Sequence, residues 1–442
     1  MMTARFRLWP VLLLILISVP WAGAENVQLT LLHTNDIHAH ISPEDGRGGL
    51  ATLCQYMKDV RGSEDNVLIL DAGDQITGTP VSTIFSGTPV FEICNQIPFD
   101  ALVLGNHEFD HGWRMIDDYC RISRHPLLSA NIRHPDGQLI SGQAFLKKEF
   151  GGLEVLIIGI TTSALPQLVE PRDWEGLRIQ DPASVIRDFI VSQCDGDELL
   201  IVLSHQGLNG DISLAEEIPE IDLIVGGHSH SIVEQPVKAG NALVVQAGSY
   251  TRYIGRLDLE VDTVTGTISE AEGQLISTEA AHLGFDPLTA ALVEKWEQRV
   301  SNLVDVPIGH NSSYKDTRQL RDIVSEILRV HYKTGFGHHN LGGTRAPLEK
   351  GVILKRDIWN ILPFDNNIYI LSLSGEELKN LNLSPSGDDS KRYYTVATNS
   401  YVGEHLVLRL SLPENRVKQV PDDMRQIVLD YVERTGKMEM PR

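Results

Sequence analysis

The chain has 442 residues with 42% hydrophobic content, enough to bury a large core and to divide into two or three domains. Its formal net charge of -21, from 38 Lys and Arg against 59 Asp and Glu, excludes the basic surface that nucleic acid polymers or anionic membranes require of a general binder. An acidic protein can still take a phosphate group where metal ions supply local positive charge.

Residues 1–24 read as a cleavable export signal. Arg5 and Arg7 precede a short apolar stretch from Val11 to Val19, and Ala22-Gly23-Ala24 supplies a small-x-small cleavage site. Val11 to Val19 is much shorter than the ~20 apolar residues of a membrane span, and no later stretch is long enough either. The expectation is a secreted or periplasmic protein with no membrane span after cleavage after Ala24. Cys54, Cys94, Cys120 and Cys194 show no Cys-x-x-Cys spacing and read as buried thiols or one optional bridge, not metal ligands.

Residues 25–276 alternate short apolar runs with helical patterns such as Gly49 to Val60, which predicts an α/β domain. The runs end in polar clusters. Leu29 to Leu32 leads to Asp36 and His38, Val67 to Leu70 to Asp74, and Leu102 to Leu104 to Asn106, His107 and Asp110. Leu199 to Leu203 leads to His205, Ile221 to Val225 to His228 and His230, and Leu243 to Val245 to Gln246 and Gly248. In α/β folds ligands bind beyond the carboxyl ends of strands.

Asp36, His38, Asp74, Asn106, His205, His228 and His230 form a donor set of oxygen and nitrogen with no thiolate. Such a set suits Zn, Mn, Fe or Co better than Ca or Mg, and it is too large for one tetrahedral ion. Two divalent ions are expected, with Asp74 as the bridging carboxylate. A pair roughly 3.5 to 4 Å apart activates water and clamps both oxygens of an in-line displacement. A carboxylate three residues after His107 can reach back to its ring.

Ser277 to Gly284 lacks a pattern and marks a boundary, so 277–302 is expected to be a linker. Asp286-Pro287 predicts a helix start with an N-cap carboxylate. Leu288, Leu292, Trp296 and Val300 predict its apolar stripe. Residues 303–442 form a second unit. It holds a helix marked by Leu320, Ile323, Val324, Ile327 and Leu328, a Gly-rich loop from Asn340 to Arg345, and a turn from Ile361 to Asn367 feeding the strand Ile368 to Leu373.

The segments Leu32 to His38, Ala72-Gly73-Asp74, Gly105 to Asp110, Leu203-Ser204-His205 and Gly226 to His230 together resemble the blocks of the calcineurin-like metallophosphoesterases. More narrowly they resemble the bacterial and animal 5'-nucleotidase family, of the periplasmic nucleotidase and UDP-sugar hydrolase type. That resemblance implies a four-layered α-β-β-α sandwich and a smaller α+β substrate-binding domain joined by a helix. It puts Asp36, His38, Asp74 and His230 on one metal, and Asp74, Asn106, His205 and His228 on the other. His107 and Asp110 then match the catalytic dyad, the imidazole stabilising phosphoryl charge and the carboxylate orienting it.

In the second domain the resemblance implies a substrate loop with Asn340 and Arg345, and aromatic rings of Phe364 and Tyr401 gripping a nucleobase. Substrate would therefore bridge a cleft between domains that rotate relative to each other. The sequence departs from the family here. Leu341 replaces a glycine, Val402-Gly403-Glu404-His405 replaces a Gly-Gly-Asp-Gly loop, and the connection from Leu383 to Lys391 is short. Tyr314 and Asp316 stand where basic residues are expected. The implied activity is hydrolysis of nucleotides to nucleoside and phosphate. Alternatives are a related hydrolase of a cyclic nucleotide, nucleotide sugar or sulfur ester, and a catalytically silent nucleotide-binding relative. Oligomeric state is not legible.

Overall fold

The structure is a computed structural model that describes residues 26–44, 46–279, 281–384 and 391–441. The export signal expected at 1–24 lies outside the described residues. No helix among them is long and apolar enough to cross a membrane.

Two six-stranded sheets build the N-terminal domain. In the first, Asn26–Thr34, Val67–Asp71, Ala101–Val103 and Leu127–Leu128 run parallel, and Tyr253–Asp262 and Ile268–Ser277 extend it antiparallel. In the second, Ala242–Val245, Leu223–Gly226, Leu199–His205 and Leu153–Thr161 are the parallel inner strands, flanked by antiparallel Val237–Ala239 and Phe145–Phe150.

Alternate side chains of a strand point to opposite faces, and here both faces are covered. Leu31, Leu70 and Val103 meet Ile157, Ile201 and Val225 between the sheets. Leu32, Ile69 and Leu102 pack outward with Leu50, Leu53 and Met57 of the helix Gly49–Ser63. Ile158, Val202 and Ile224 pack outward on the other side with Ile186 and Phe189 of Pro182–Gln193. Continuous apolar runs follow from burial on both faces, and the result is a four-layered α-β-β-α sandwich. All four cysteines are free thiols, so the optional bridge is not formed.

The helix Pro287–Val304 begins as expected, with the Asp286 carboxylate accepting from the Thr289 N–H at 2.8 Å. Its buried stripe differs from the expected one. Thr289, Val293, Trp296, Val300 and Val304 face inward, while Leu288 is 69% exposed. A strict spacing of four advances ~40° per step around a helix of 3.6 residues per turn, so Leu288 drifts off the face that Trp296 and Val300 share. Mixed steps of three and four hold the true stripe in line. Trp296 packs edge-on to Phe85 at 5.0 Å, under the Arg299 guanidinium, and donates to Glu92.

The C-terminal domain is α+β. Its sheet has the order Phe336–Gly337, Tyr393–Asn399, Ile368–Ser374, Val417–Val420. Helices Thr317–Tyr332 and Met424–Thr435 cover one face through Leu320, Val324 and Val428, and Ser400–Leu410 covers the other through Val402 and Leu406. Asp316 caps the first of these helices, its carboxylate accepting from Gln319 N at 2.8 Å.

The corrected stripe gives a direct test. Trp296→Ala is expected to cost about 3 to 5 kcal/mol and Leu288→Ala within about 0.5 kcal/mol, read from urea unfolding of the N-terminal domain, whose core includes Trp296.

Candidate active site

Loops following the parallel strands of both sheets converge at one point. Asp36, His38, Asp74, His228 and His230 all hold positive φ, between 49° and 76°. Non-glycine residues adopt this region at a cost and cluster in it at functional sites. Two glycines let the loops approach. A Cβ on Gly105 would strike the Asp74 carboxylate, and one on Gly227 would lie 2.5 Å from the Ala72 carbonyl and 2.8 Å from His205 Nδ1.

The seven expected donors come together. Asp36, His38 and His230 form one cluster and Asp74, His205 and His228 a second, each with its donor atoms within 4.8 Å of one another. Asp74 Oδ2 is 3.0 Å from His205 Nε2 and 3.8 Å from His38 Nε2, so one carboxylate reaches both groups. Asn106 Oδ1 is buried beside them without a hydrogen-bond partner.

Two contacts orient the rings. His205 Nδ1 donates to the Ala72 carbonyl at 2.6 Å and His38 Nδ1 to the Thr77 carbonyl at 3.0 Å, which turns each Nε2 toward the cluster. His38 Nε2 lies 3.0 Å from His230 Nε2. Burial first, then the Arg345 charge, holds His38 well below its ordinary pKa, and burial takes His228 down to about 4. At His205 burial is outweighed by the Asp74 carboxylate, which raises that imidazole to about 10; a cation between the two would take over this attraction. Imidazole nitrogens, carboxylates and a buried amide oxygen without a partner form a donor set that fits divalent cations.

His107 and Asp110 are paired at 2.7 Å through Nδ1. The short helical turn His107–Phe109 brings them together, and His107 N–H donates to Asp74 Oδ1 at 2.8 Å. Burial works to lower the His107 pKa, but the Asp110 and Asp74 carboxylates outweigh it and raise the imidazole above its ordinary value.

The C-terminal domain supplies the facing wall of a cavity of about 470 Å³, lined by Asp74, Asn106, His107 and His228 on one side and Asn340, Arg345, Phe364 and Tyr401 on the other. The Phe364 ring stacks toward His107 at 5.8 Å, with the Arg345 guanidinium 6.0 Å from its centre. Arg345 Nη2 is 3.5 Å from His38 Nε2. Asn340 Oδ1 accepts from Asn399 Nδ2 at 2.7 Å, which leaves its amide N–H groups for the cavity. Tyr401 lines the same cavity, but its ring leans on His405 and its hydroxyl donates to the Gln167 carbonyl at 2.8 Å.

Sequence reasoning assigned no role to the residues that hold these loops. Buried Glu108 accepts from the N–H groups of Asp74 (3.1 Å), Gln75 (2.8 Å) and Gly105 (2.7 Å), tying two donor loops together. Asn35 and Gln246 do the same for the Asp36 and His228 loops. The available signal was position alone: Asn35 and Glu108 stand beside donor residues, and Gln246 directly follows an apolar run.

The calcineurin-like phosphoesterase model matches residues 29–231, and the 5'-nucleotidase C-terminal domain model matches residues 304–384, ending before Tyr401. The chain therefore joins a phosphoesterase domain to a nucleotidase-type second domain. It is similar to the 5'-nucleotidase of Mus musculus, 29% identical over 485 residues that span 94% of this chain and 81% of that one. Its fold matches the crystal structure of a 5'-nucleotidase precursor from Thermus thermophilus, with TM-score 0.82, 22% identity, and 94% and 98% of the two chains covered. It also matches a sulfate thiohydrolase from Thermus thermophilus, with TM-score 0.77, 16% identity, and 94% and 95% covered. In the order of its two domains the chain is similar to the 5'-nucleotidases among the calcineurin-like metallophosphoesterases, which are metal-dependent phosphoester hydrolases.

Removing the Glu108 carboxylate leaves buried N–H groups on both donor loops without an acceptor, at about 1 to 3 kcal/mol for each group left unsatisfied. Glu108→Ala is expected to lower the metal bound per chain, measured by elemental analysis after dialysis, while far-UV circular dichroism stays native at 25 °C.

Proposed function

We propose that this protein is an exported 5'-nucleotidase that hydrolyses nucleotides to nucleoside and phosphate at a pair of divalent metal ions. The observation that carries this reading is the cavity in which Asp74, Asn106, His228 and His230, members of the two adjoining donor groups, face Phe364 and Arg345. One side is suited to a phosphoryl group and the other to a base.

Asp36, His38, Asp74 and His230 would hold one ion, and Asp74, Asn106, His205 and His228 the other. Bound there, Zn, Mn, Co or Fe would polarise the phosphoryl group and supply an activated water. His107 donates a hydrogen bond from Nε2–H to a phosphoryl oxygen as charge develops, and Asp110 keeps that ring oriented and protonated. Arg345 offers its guanidinium to phosphate oxygens beside His38, and Asn340 offers its amide N–H groups. Phe364 stacks on the base, with Tyr401 as the opposing ring. Residues 1–24 direct the chain out of the cytoplasm, to the periplasm or the medium.

A second reading is hydrolysis of another anionic ester, such as a cyclic nucleotide, a nucleotide sugar or a sulfur ester. It draws on the second domain, where Asp316 is committed to capping a helix and Tyr314 is exposed.

The two readings separate on substrate. Phe364→Ala removes one stacking face and should weaken nucleotide recognition by roughly 1 to 3 kcal/mol, about five- to 150-fold in kcat/KM. A small chromogenic phosphate ester has no base, and its hydrolysis should barely change. Equal loss on both would make Phe364 a packing residue and the protein a broad phosphoesterase. Prolonged EDTA treatment should abolish both activities and added Mn should restore them.

Asp110 raises the His107 pKa, so the protonated imidazole is lost only as pH rises through that raised value. Asp110→Asn removes this support. The alkaline limb of its kcat/KM profile should move to lower pH with metal content unchanged; an unmoved limb would assign that limb to another group. His107→Ala should lose roughly 10² to 10³ in turnover, the scale for one transition-state donor.

A further inference from the structure

On the seam between the domains, in the wall of the same cavity, stands a largely buried carboxylate with no part in the chemistry above. Glu170 lies in the segment that follows the short helix Leu165–Leu168 of the N-terminal domain. Its Oε1 accepts from the Ser400 hydroxyl of the C-terminal domain, and its Oε2 lies 2.6 Å from Arg172 Nη2. Ser400 is fully buried and opens the helix Ser400–Leu410.

Ser400 occupies a junction. Its Oγ accepts from Asn367 N–H at 3.1 Å and lies 3.2 Å from Asn366 Oδ1, which in turn is 3.4 Å from Tyr401 N. Asn366 and Asn367 continue the turn that carries Phe364, and Tyr401 directly follows Ser400. The hydroxyl has one proton and two acceptors in reach. When it goes to Glu170, Asn366 Oδ1 is left for the Tyr401 N–H; when Glu170 is withdrawn, Asn366 becomes the remaining acceptor. The same seam holds Tyr401 hydroxyl on the Gln167 carbonyl and His405 Nε2 at 3.1 Å from the Pro166 carbonyl.

We propose that Glu170 is a positioning residue: it latches the C-terminal domain closed through Ser400 and thereby sets the spacing of the Phe364 and Tyr401 rings. This rests on the nucleotide reading for the purpose of the rings, but not for the latch itself. The latch couples closure to recognition, because the domain that carries the donor clusters grips the junction from which both rings are hung. The charged groups facing Glu170 are Arg172 and Asp173 on its own segment and Glu404 on the helix Ser400–Leu410. Burial raises its carboxyl to about 7. A neutral acceptor is therefore compatible with the site, and glutamine is the natural conservative replacement.

The test compares Glu170→Ala, Glu170→Gln and Ser400→Ala in the full-length metal-loaded protein. Two readouts are taken: kinetics on AMP and p-nitrophenyl phosphate, and amide hydrogen exchange of peptides covering 164–173 and 398–406. Glu170→Ala is expected to raise KM for AMP by roughly 10-fold, the scale of one hydrogen bond, with p-nitrophenyl phosphate kinetics within about 2-fold of wild type. Both peptides should exchange faster, Ser400→Ala should match it, and Glu170→Gln should return KM and exchange to near wild type. Unchanged exchange in Glu170→Ala would overturn the latch, and equal losses on the two substrates would overturn its role in setting the rings. A wild-type enzyme that cleaves AMP no better than p-nitrophenyl phosphate would instead overturn the nucleotide reading, and exchange alone would then decide the latch. Should Glu170→Ala fail to fold, Ser400→Ala carries the same comparison.

Discussion

The donor cluster packs carboxylates and imidazole lone pairs into a space from which water is largely removed. Asp36, His38, Asp74 and His205 are buried to 1% exposure or less. Ionised carboxylates in such surroundings are costly unless their oxygens are satisfied. One partner set is the backbone of the opposing loops: Asp36 accepts from His228 N–H at 2.9 Å, Asp74 accepts from His107 N–H, and Glu108 spans the Asp74 and Gly105 loops. Each carboxylate thus stitches one strand end to another. Asp36, Asp74 and His228, three of the donors with strained backbone, take part in these cross-links between loops.

This arrangement explains why the domain has two sheets buried on both faces. The donors come from the ends of strands in different sheets, and their relative placement is only as firm as the packing between the sheets. Close-packed interiors transmit displacement instead of absorbing it. The layer of leucine, isoleucine and valine between the sheets therefore acts as the mount for the site, with the helices outside keeping each sheet from flexing.

The second domain works under a looser constraint. Its rings and its Gly-rich loop stand on a separate hydrophobic core, tied across the cleft by a few polar contacts such as Thr83 to the Pro363 carbonyl at 3.0 Å. A seam of discrete hydrogen bonds, beside the packed linker helix, can open without unfolding either core. The donor clusters stand on one core, and the Gly-rich loop and Phe364 stand on the other.

The sequence by itself determined the chemical inventory and the class of fold. Apolar runs ending in Asp, Asn and His are a local pattern, and strand ends in an α/β domain face one way, so the seven donors and the His107 and Asp110 pair were legible before any contact was known. The Asp286 cap was legible for the same reason, since capping is settled within four residues. Tertiary structure alone decided what depends on partners distant in the chain. The linker stripe shifted because the face a helix buries is set by its neighbours, here Phe85 and Glu92, and not by its own most apolar spacing. Nothing in the local sequence singles out Glu108 or Glu170, because their partners lie 33 and 230 residues away.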